Sequence, residues 1–176
     1  MMASSLKKYA TPIAATEVDR IMQVAETIST NLPVLKFLDR PGEEIELYTF
    51  GDEDTSCGLA GLYKIDRDNR MACICAGLAE GKITTYARGA LLWMVYHAFY
   101  ELGMERVYAE VPHINEEFFQ VELWTHLGFV IEGILRGHTR YRGKRCDVMY
   151  VGAMKADYLY VLEDTYMLTK HWRVMP

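Results

Sequence analysis

Cysteine is scarce in this sequence, with four residues among 176, at positions 57, 73, 75 and 146. Cys73 and Cys75 are separated by a single residue, closer than the ligand spacing of a zinc pair, and no second pair accompanies them. No metal site and no disulfide framework is expected, and all four read as buried free thiols. Long hydrophobic runs are missing too: the longest strongly apolar stretch, Leu91–Val95, falls far short of the roughly 20 residues that span a bilayer. The N-terminal MMASSLKKYATP is not followed by an apolar segment of signal-peptide length. These absences point to a cytoplasmic protein that has no membrane partner. Positive charge is not in excess, since 19 Lys and Arg face 24 Asp and Glu for a formal net charge of -5. That balance argues against nucleic acid as a general partner, while leaving room for a local basic patch. No repeat, low-complexity tract or Gly/Ser linker divides the chain, and its five prolines mark no domain boundary.

What remains is a chain that is 51% hydrophobic and 24% charged, long enough to bury roughly 70% of its unfolded surface in one core. Thr16 with Asp19 resembles a capping box, and Val18, Ile21, Met22 and Ala25 recur at helical spacing, predicting an amphipathic helix to Ser29. Ile45–Phe50, Cys57–Ile65 and Arg70–Leu78 are short and rich in β-branched or aromatic residues. Turn compositions separate them, so they predict a three-strand meander. Residues 87–102 place Leu91, Leu92, Val95, Ala98, Phe99 and Leu102 on one helical face, with Gly103 suited to stop the helix.

Arg106–Val111 alternates as a strand, with Val107, Ala109 and Val111 on one face, Tyr108 and Glu110 on the other, and Pro112 as its end. Asn115 is placed to cap a helix whose stripe of Phe119, Leu123 and Leu127 stops at Gly128. A strand from Phe129, a hairpin turning near Arg142-Gly143 and a strand through Asp147 to Met154 follow. With a two-residue turn, His138 faces Asp147 across the hairpin, where the carboxylate either orients the imidazole or anchors the strand pair.

The segment Ala79–Ala90 leads from a strand ending in Ala76, Gly77 and Leu78 into the long helix. The first N–H groups of a helix have no internal partner and its dipole is positive there, so this loop is suited to a phosphate or pyrophosphate. Many αβ proteins share that feature without using it. The series that follows is more particular: Val107-Tyr-Ala-Glu-Val111, Asn115, Leu127-Gly-Phe-Val-Ile-Glu-Gly-Ile-Leu-Arg136 and Arg142-Gly-Lys-Arg-Cys-Asp147. Over about residues 40 to 155 it resembles the GNAT superfamily of acyl-CoA N-acyltransferases, and within it the branch that acetylates the N-termini of ribosomal proteins.

The resemblance implies an α/β (α+β) fold in one domain over residues 1–155, a mixed, mostly antiparallel twisted sheet flanked by helices, with 156–176 as a C-terminal extension. It implies that the fourth and fifth strands splay and admit acetyl-CoA as co-substrate. The backbone of Ala76, Gly77 and Leu78 would then pair with the pantetheine amides. Lys82, Thr85, Tyr86, Ala87 and Arg88 would surround the pyrophosphate, and Asn115 would contact the cofactor arm. Lys82 stands where the family has Arg or Gln, and Thr85 stands where it has its first glycine. Glu110, five residues before Asn115, takes the place of the catalytic base, although a strand carboxylate is also an ordinary solvated or ion-paired group. Trp124 occupies the place of the tyrosine acid, and an indole cannot serve as one, which leaves solvent, Tyr141, His138 or His126.

The expected reaction is direct transfer of an acetyl group to an amine, either a protein N-terminus or a small molecule, in a ternary complex without a covalent enzyme intermediate. Two alternatives stand beside it. Thr85 and Trp124 suggest a GNAT-fold binding or regulatory protein without catalysis, and the basic stretch Arg136, Arg140, Arg142, Lys144 and Arg145 suggests an acyltransferase acting on a nucleic acid or aminoacyl-tRNA. A homodimer is left open.

Overall fold

A computed structural model of the chain describes residues 10–13, 44–51, 56–78, 85–113, 121–141 and 143–158. The expected first helix, Lys82, Asn115, Phe119, Arg142 and residues beyond 158 lie outside them. The alternating segments form one seven-stranded sheet: β1 (Ala10–Ile13), β2 (Glu46–Gly51), β3 (Ser56–Asp66), β4 (Met71–Leu78), β5 (Arg106–Pro112), β6 (Val130–Tyr141) and β7 (Lys144–Met154). Their order is β1-β2-β3-β4-β5-β7-β6. Every neighbouring pair is antiparallel except β4 with β5. A parallel pair needs a crossover, and helix α1 (Thr85–Tyr96) lies in this one. A second helix, α2 (Val121–His126), precedes β6. The turn between β3 and β4 is closed by Asp66, whose carboxylate accepts from the Asn69 backbone N–H and side-chain amide at 2.8 Å each.

Period-2 alternation sorts the sheet into two faces. Ala60, Leu62, Ala72, Ile74, Val107, Ala109, Met149 and Val151 point to one side, where Ala90, Leu91, Met94, Val95 and Ala98 of the α1 segment bury against them. Leu123 and Trp124 of α2, with Leu127 and Phe129 just after it, close the same core. Full burial of each large aliphatic side chain contributes about 1.5–3 kcal/mol. Gly128, at φ +83°, ends α2 where the sequence predicts. β5 ends at Pro112, as the sequence predicts, and that residue is the last to pair, opposite Val148. Among the described residues, no helix is long and apolar enough to cross a membrane.

The long helix begins at Thr85 and loosens at its far end: His97–Glu101 form a π-turn, with Leu102 N–H donating to the His97 carbonyl at 3.0 Å. The side chain of His97, at the start of this turn, is engaged on all sides. Its Nε2 meets Glu46 Oε2 at the start of β2, its Nδ1 meets Glu101 Oε2, both at 2.6 Å, and its ring stacks on Trp93 at 5.1 Å. His97 thus ties the end of the helix to the sheet through Glu46, while Glu101 holds the same ring from within the turn.

The β6–β7 hairpin departs from expectation. Thr139, Arg140 and Tyr141 pair with Cys146, Arg145 and Lys144 as a two-residue turn requires, but the register shifts between Leu135 and Thr139. His138 therefore does not pair with Asp147. The Asp147 carboxylate accepts from the N–H of Gly137, at 2.7 Å, and Gly137 adopts φ +58°. Asp147 anchors the bulge and does not orient an imidazole. Cys73 and Cys75 are buried thiols as expected, while Cys146 is only half-buried and so departs from that reading. The Cys57 side chain lies outside the description.

The His97 cluster makes stability depend on pH with a definite sign. Burial opposes the imidazolium, but the hydrogen bonds and charges of Glu46 and Glu101 outweigh it and raise the His97 pKa. The hydrogen bond from His97 holds Glu46 below the usual carboxylate range, against burial. His97 therefore contributes fully below the ordinary histidine value of about 6.5, and this contribution is lost as pH rises through its raised folded value. Glu46 contributes above about 4.5 and loses its contribution as pH falls through its depressed folded value. Urea unfolding across roughly pH 5 to 9 should show stability declining on the alkaline side in the wild type, and a flatter profile in His97→Gln.

Candidate active site

β4 and β5 pair at Met71–Arg106, Ala72–Val107 and Cys73–Tyr108, and there their ladder ends. β4 runs on to Leu78 paired only with β3, while β5 runs on to Pro112 paired with β7. In an antiparallel pair, alternate residues turn both N–H and C=O away from the partner. Beyond Cys73 and Tyr108 each strand thus presents a row of backbone donors and acceptors to the gap between them, and such groups require partners. Ala76, Gly77 and Leu78 lie at the gap end of β4, paired on their other side with Ala60, Leu59 and Gly58. An amide-bearing chain such as a pantetheine arm fits this pair of edges.

The gap strand is followed after six residues by α1, whose first turn contains Thr85, Tyr86, Ala87 and an exposed Arg88 and no acidic residue. Its leading N–H groups lack helical partners, and the helix dipole adds positive potential. The residues present are therefore compatible with a pyrophosphate at this end of the helix.

Glu110 stands on β5 on the face away from α1, because Val107, Ala109 and Val111 are taken up by the core. The β5–β7 register sets it opposite Tyr150, whose hydroxyl donates to Glu110 Oε1 at 2.8 Å. Lys64 donates to the same oxygen from β3, with Nζ at 2.7 Å. It reaches across β4 from a bulge: the β3–β4 register shifts between Tyr63 and Asp66, and Lys64 adopts φ +50°. A side-chain-bearing residue in the left-handed region costs about 1–3 kcal/mol, sustained here by the pairing on either side.

The chemistry of the neighbours limits what they can do. Burial, with the hydrogen bond to Glu110, pushes the Tyr150 phenol up to about 12, so it stays protonated and acts as a donor. Burial likewise raises Tyr108, whose ring stacks with that of Tyr150 at 6.5 Å. Burial pushes the Cys73 thiol to about 12, which removes it as a nucleophile near neutral pH. A groove of about 530 Å³ opens toward the β3–β4 turn, with Lys64, Asp66, Arg67, Asp68 and Tyr108 in its walls. It lies at the opposite end of β4 from the gap and shares with the Glu110 site only Lys64 and the neighbouring Tyr108.

Trp124 is 3% exposed and meets Phe129 edge-on at 5.2 Å, so the position of the expected acid is filled by core packing. His126 is exposed and its Nδ1 lies 2.6 Å from the Glu122 carbonyl of its own helix, and His138 and Tyr141 stay on the hairpin. Glu110 is partnered by Lys64 and Tyr150 instead. The described members of the basic stretch, Arg136, Arg140, Lys144 and Arg145, are exposed on the hairpin, where Arg140 and Arg145 donate to the carbonyls of Gly143 and Gly137. Lys64 and Tyr150 escaped sequence reasoning. Lys64 is 46 residues from its partner, whereas Tyr150 could have been found by pairing the strand of Glu110 with the last strand in register.

No protein-family model matches the chain, and no curated protein matches it either. Solved structures do match, and the fold they share with this chain is that of the GNAT N-acetyltransferases. The dodecameric spermidine N-acetyltransferase SpeG from Vibrio cholerae superposes with a TM-score of 0.68 at 18% identity, covering 86% of this chain and 97% of that chain. A chimera of that enzyme with hSSAT gives the same four values. A point mutant of the Vibrio cholerae enzyme gives 0.66 and 19%, with coverage of 85% and 96%. At such identity the likeness establishes the fold, and it does not single out the ribosomal-protein branch.

Trp124→Ala should lower stability by about 3–5 kcal/mol, the cost of emptying an aromatic site in a packed core. Denaturant unfolding measures it, and a change below about 1 kcal/mol would mean that the indole is not a core element.

Proposed function

We propose that the protein is an acetyl-CoA-dependent N-acetyltransferase that transfers an acetyl group to an amine. The observation that carries this reading is the opened β4–β5 edge with Glu110 beside it, in a fold that solved N-acetyltransferases match over 86% of this chain. The backbone of Ala76, Gly77 and Leu78 would hold the pantetheine amides. Thr85, Tyr86, Ala87 and Arg88, with Lys82 before them, would hold the pyrophosphate, and Asn115 would contact the arm. Bound acetyl-CoA supplies a thioester whose carbonyl carbon is open to attack by an amine. Glu110 takes the proton of the incoming ammonium. Its Oε1 is occupied by Lys64 and Tyr150, while Oε2 has no hydrogen-bond partner among the described residues and is the oxygen available for this. With Trp124 in the core, the departing thiolate takes its proton from water.

For the acceptor we favour a small cationic amine. A carboxylate that already binds one primary ammonium is suited to bind another, and the matched solved structures are of spermidine acetyltransferases. A protein N-terminus is the second acceptor to assay. Thiol release from acetyl-CoA with a polyamine and peptide panel tests the reading, and absence of both acetyl-CoA binding and turnover overturns it. Glu110→Gln should lower turnover by about 10²–10⁴-fold with acetyl-CoA affinity nearly unchanged. Ala87→Asp, which sets a negative charge in the first turn of α1, should instead weaken acetyl-CoA binding as read by calorimetric titration.

A further inference from the structure

We propose that the protein acetylates itself at Lys64, an inference that rests on the acyltransferase reading above. An acceptor must bring an amine to Glu110 at the edge of the gap, and a primary amine of the chain is already there, with Lys64 Nζ 2.7 Å from Glu110 Oε1. That distance is within the hydrogen-bond reach over which a positioned carboxylate removes a proton.

The arrangement is held in place on both sides. Tyr150 fixes the carboxylate by donating to the same oxygen, and Lys64 leaves the β3–β4 ladder at a bulge, in a backbone conformation that a lysine seldom adopts. The pair is open to reagents: the Lys64 and Glu110 side chains are 34% and 20% exposed. Glu110 lies two residues past the last β4–β5 pair, on the stretch of β5 that borders the gap. The other described lysines are placed differently, Lys155 donating to the Phe99 carbonyl and Lys144 sitting exposed on the hairpin.

In the reaction the Lys64 ammonium gives one proton to Glu110, and its nitrogen forms a bond to the thioester carbonyl carbon of acetyl-CoA. The C–S bond breaks, its electron pair leaves with sulfur, and the second proton lost by nitrogen ends on the thiolate. Glu110 returns its proton to water. The products are acetylated Lys64, free CoA thiol and one released proton, with no oxidant or reductant required. Acetylation removes the charge of Lys64 and with it the ion pair, so that Glu110 Oε1 keeps Tyr150 alone and the neighbouring groove loses one of its two cations.

The full chain is incubated with acetyl-CoA, and peptide mapping by mass spectrometry follows acetyl groups at Lys64 and at Lys144 as the internal reference for uncatalysed modification. Lys64 should be acetylated about 10²-fold faster than Lys144, the lower end of what a positioned base contributes. The excess should vanish in urea and in Glu110→Gln, with acetyl-CoA binding by that variant confirmed calorimetrically. Lys64→Arg should carry no acetyl group at that position. The proposal is overturned if Lys64 reacts no faster than Lys144, or if its excess persists in Glu110→Gln. Should acetyl-CoA bind and an added amine be acetylated while Lys64 stays unmodified, this proposal fails and the acyltransferase reading stands. Failure of acetyl-CoA to bind at all overturns both.

Discussion

Among the described residues the ladder between β4 and β5 has three residue pairs, Met71–Arg106, Ala72–Val107 and Cys73–Tyr108, and the site exists because there is not a fourth. Each half satisfies its own strands, β4 by β3 and β5 by β7, so the divergence leaves no strand without a ladder. It does leave two facing rows of backbone polar groups, whose burial without partners would cost free energy. The halves are held by the layer beneath: the α1 segment packs across β2, β3 and β4, and the core it seals continues under β5 and β7. A crossover helix does double service here, closing the core on one side and presenting its N-terminus beyond the opened edge.

Around that opening the charges are sorted by burial. Glu110 shares the face away from the core with Tyr108 and Tyr150, so a carboxylate, two phenols and the Lys64 ammonium meet where the sheet provides no apolar cover from α1. His97, Glu46 and Glu101 form the other polar cluster, at the far end of the helix, where they fix its last turn to β2. The first cluster is chemically equipped and partly open, whereas the second has its histidine almost fully enclosed and both ring nitrogens engaged, which suits it to structure.

Much of this could be read from the sequence because local patterns decide it. The alternation of Val107, Ala109 and Val111 correctly puts Glu110 outside the core, and the turn compositions divide the meander close to its observed strand ends. The divergence of β4 and β5 was anticipated through family resemblance, not through any residue pattern. What was missed depends on contacts distant in sequence. Position 64 does not announce its positive φ, since glycine or asparagine is the usual signal and the residue is a lysine. Nothing near His97 announces its contact with Glu46, which is 51 residues away. The hairpin was misread for a different reason. Gly137 was visible, and a glycine inside a strand pattern is a sign of a bulge. A bulge at Gly137 separates His138 from Asp147.

β6 is the last strand of the sheet, and its outer edge is where another chain could add a strand. Its 12 residues are broken by two register shifts, one between Ile131 and Gly133 and one between Leu135 and Thr139. No run in regular register with β7 is longer than three residues. Each bulge bends and twists the strand, and Glu132, Arg136, His138 and Arg140 put charged or polar side chains among the exposed Val130, Ile134 and Leu135. The bulge that Asp147 holds at Gly137 therefore also guards against aggregation, since a sheet ending in so interrupted a strand offers a poor template for edge-to-edge growth.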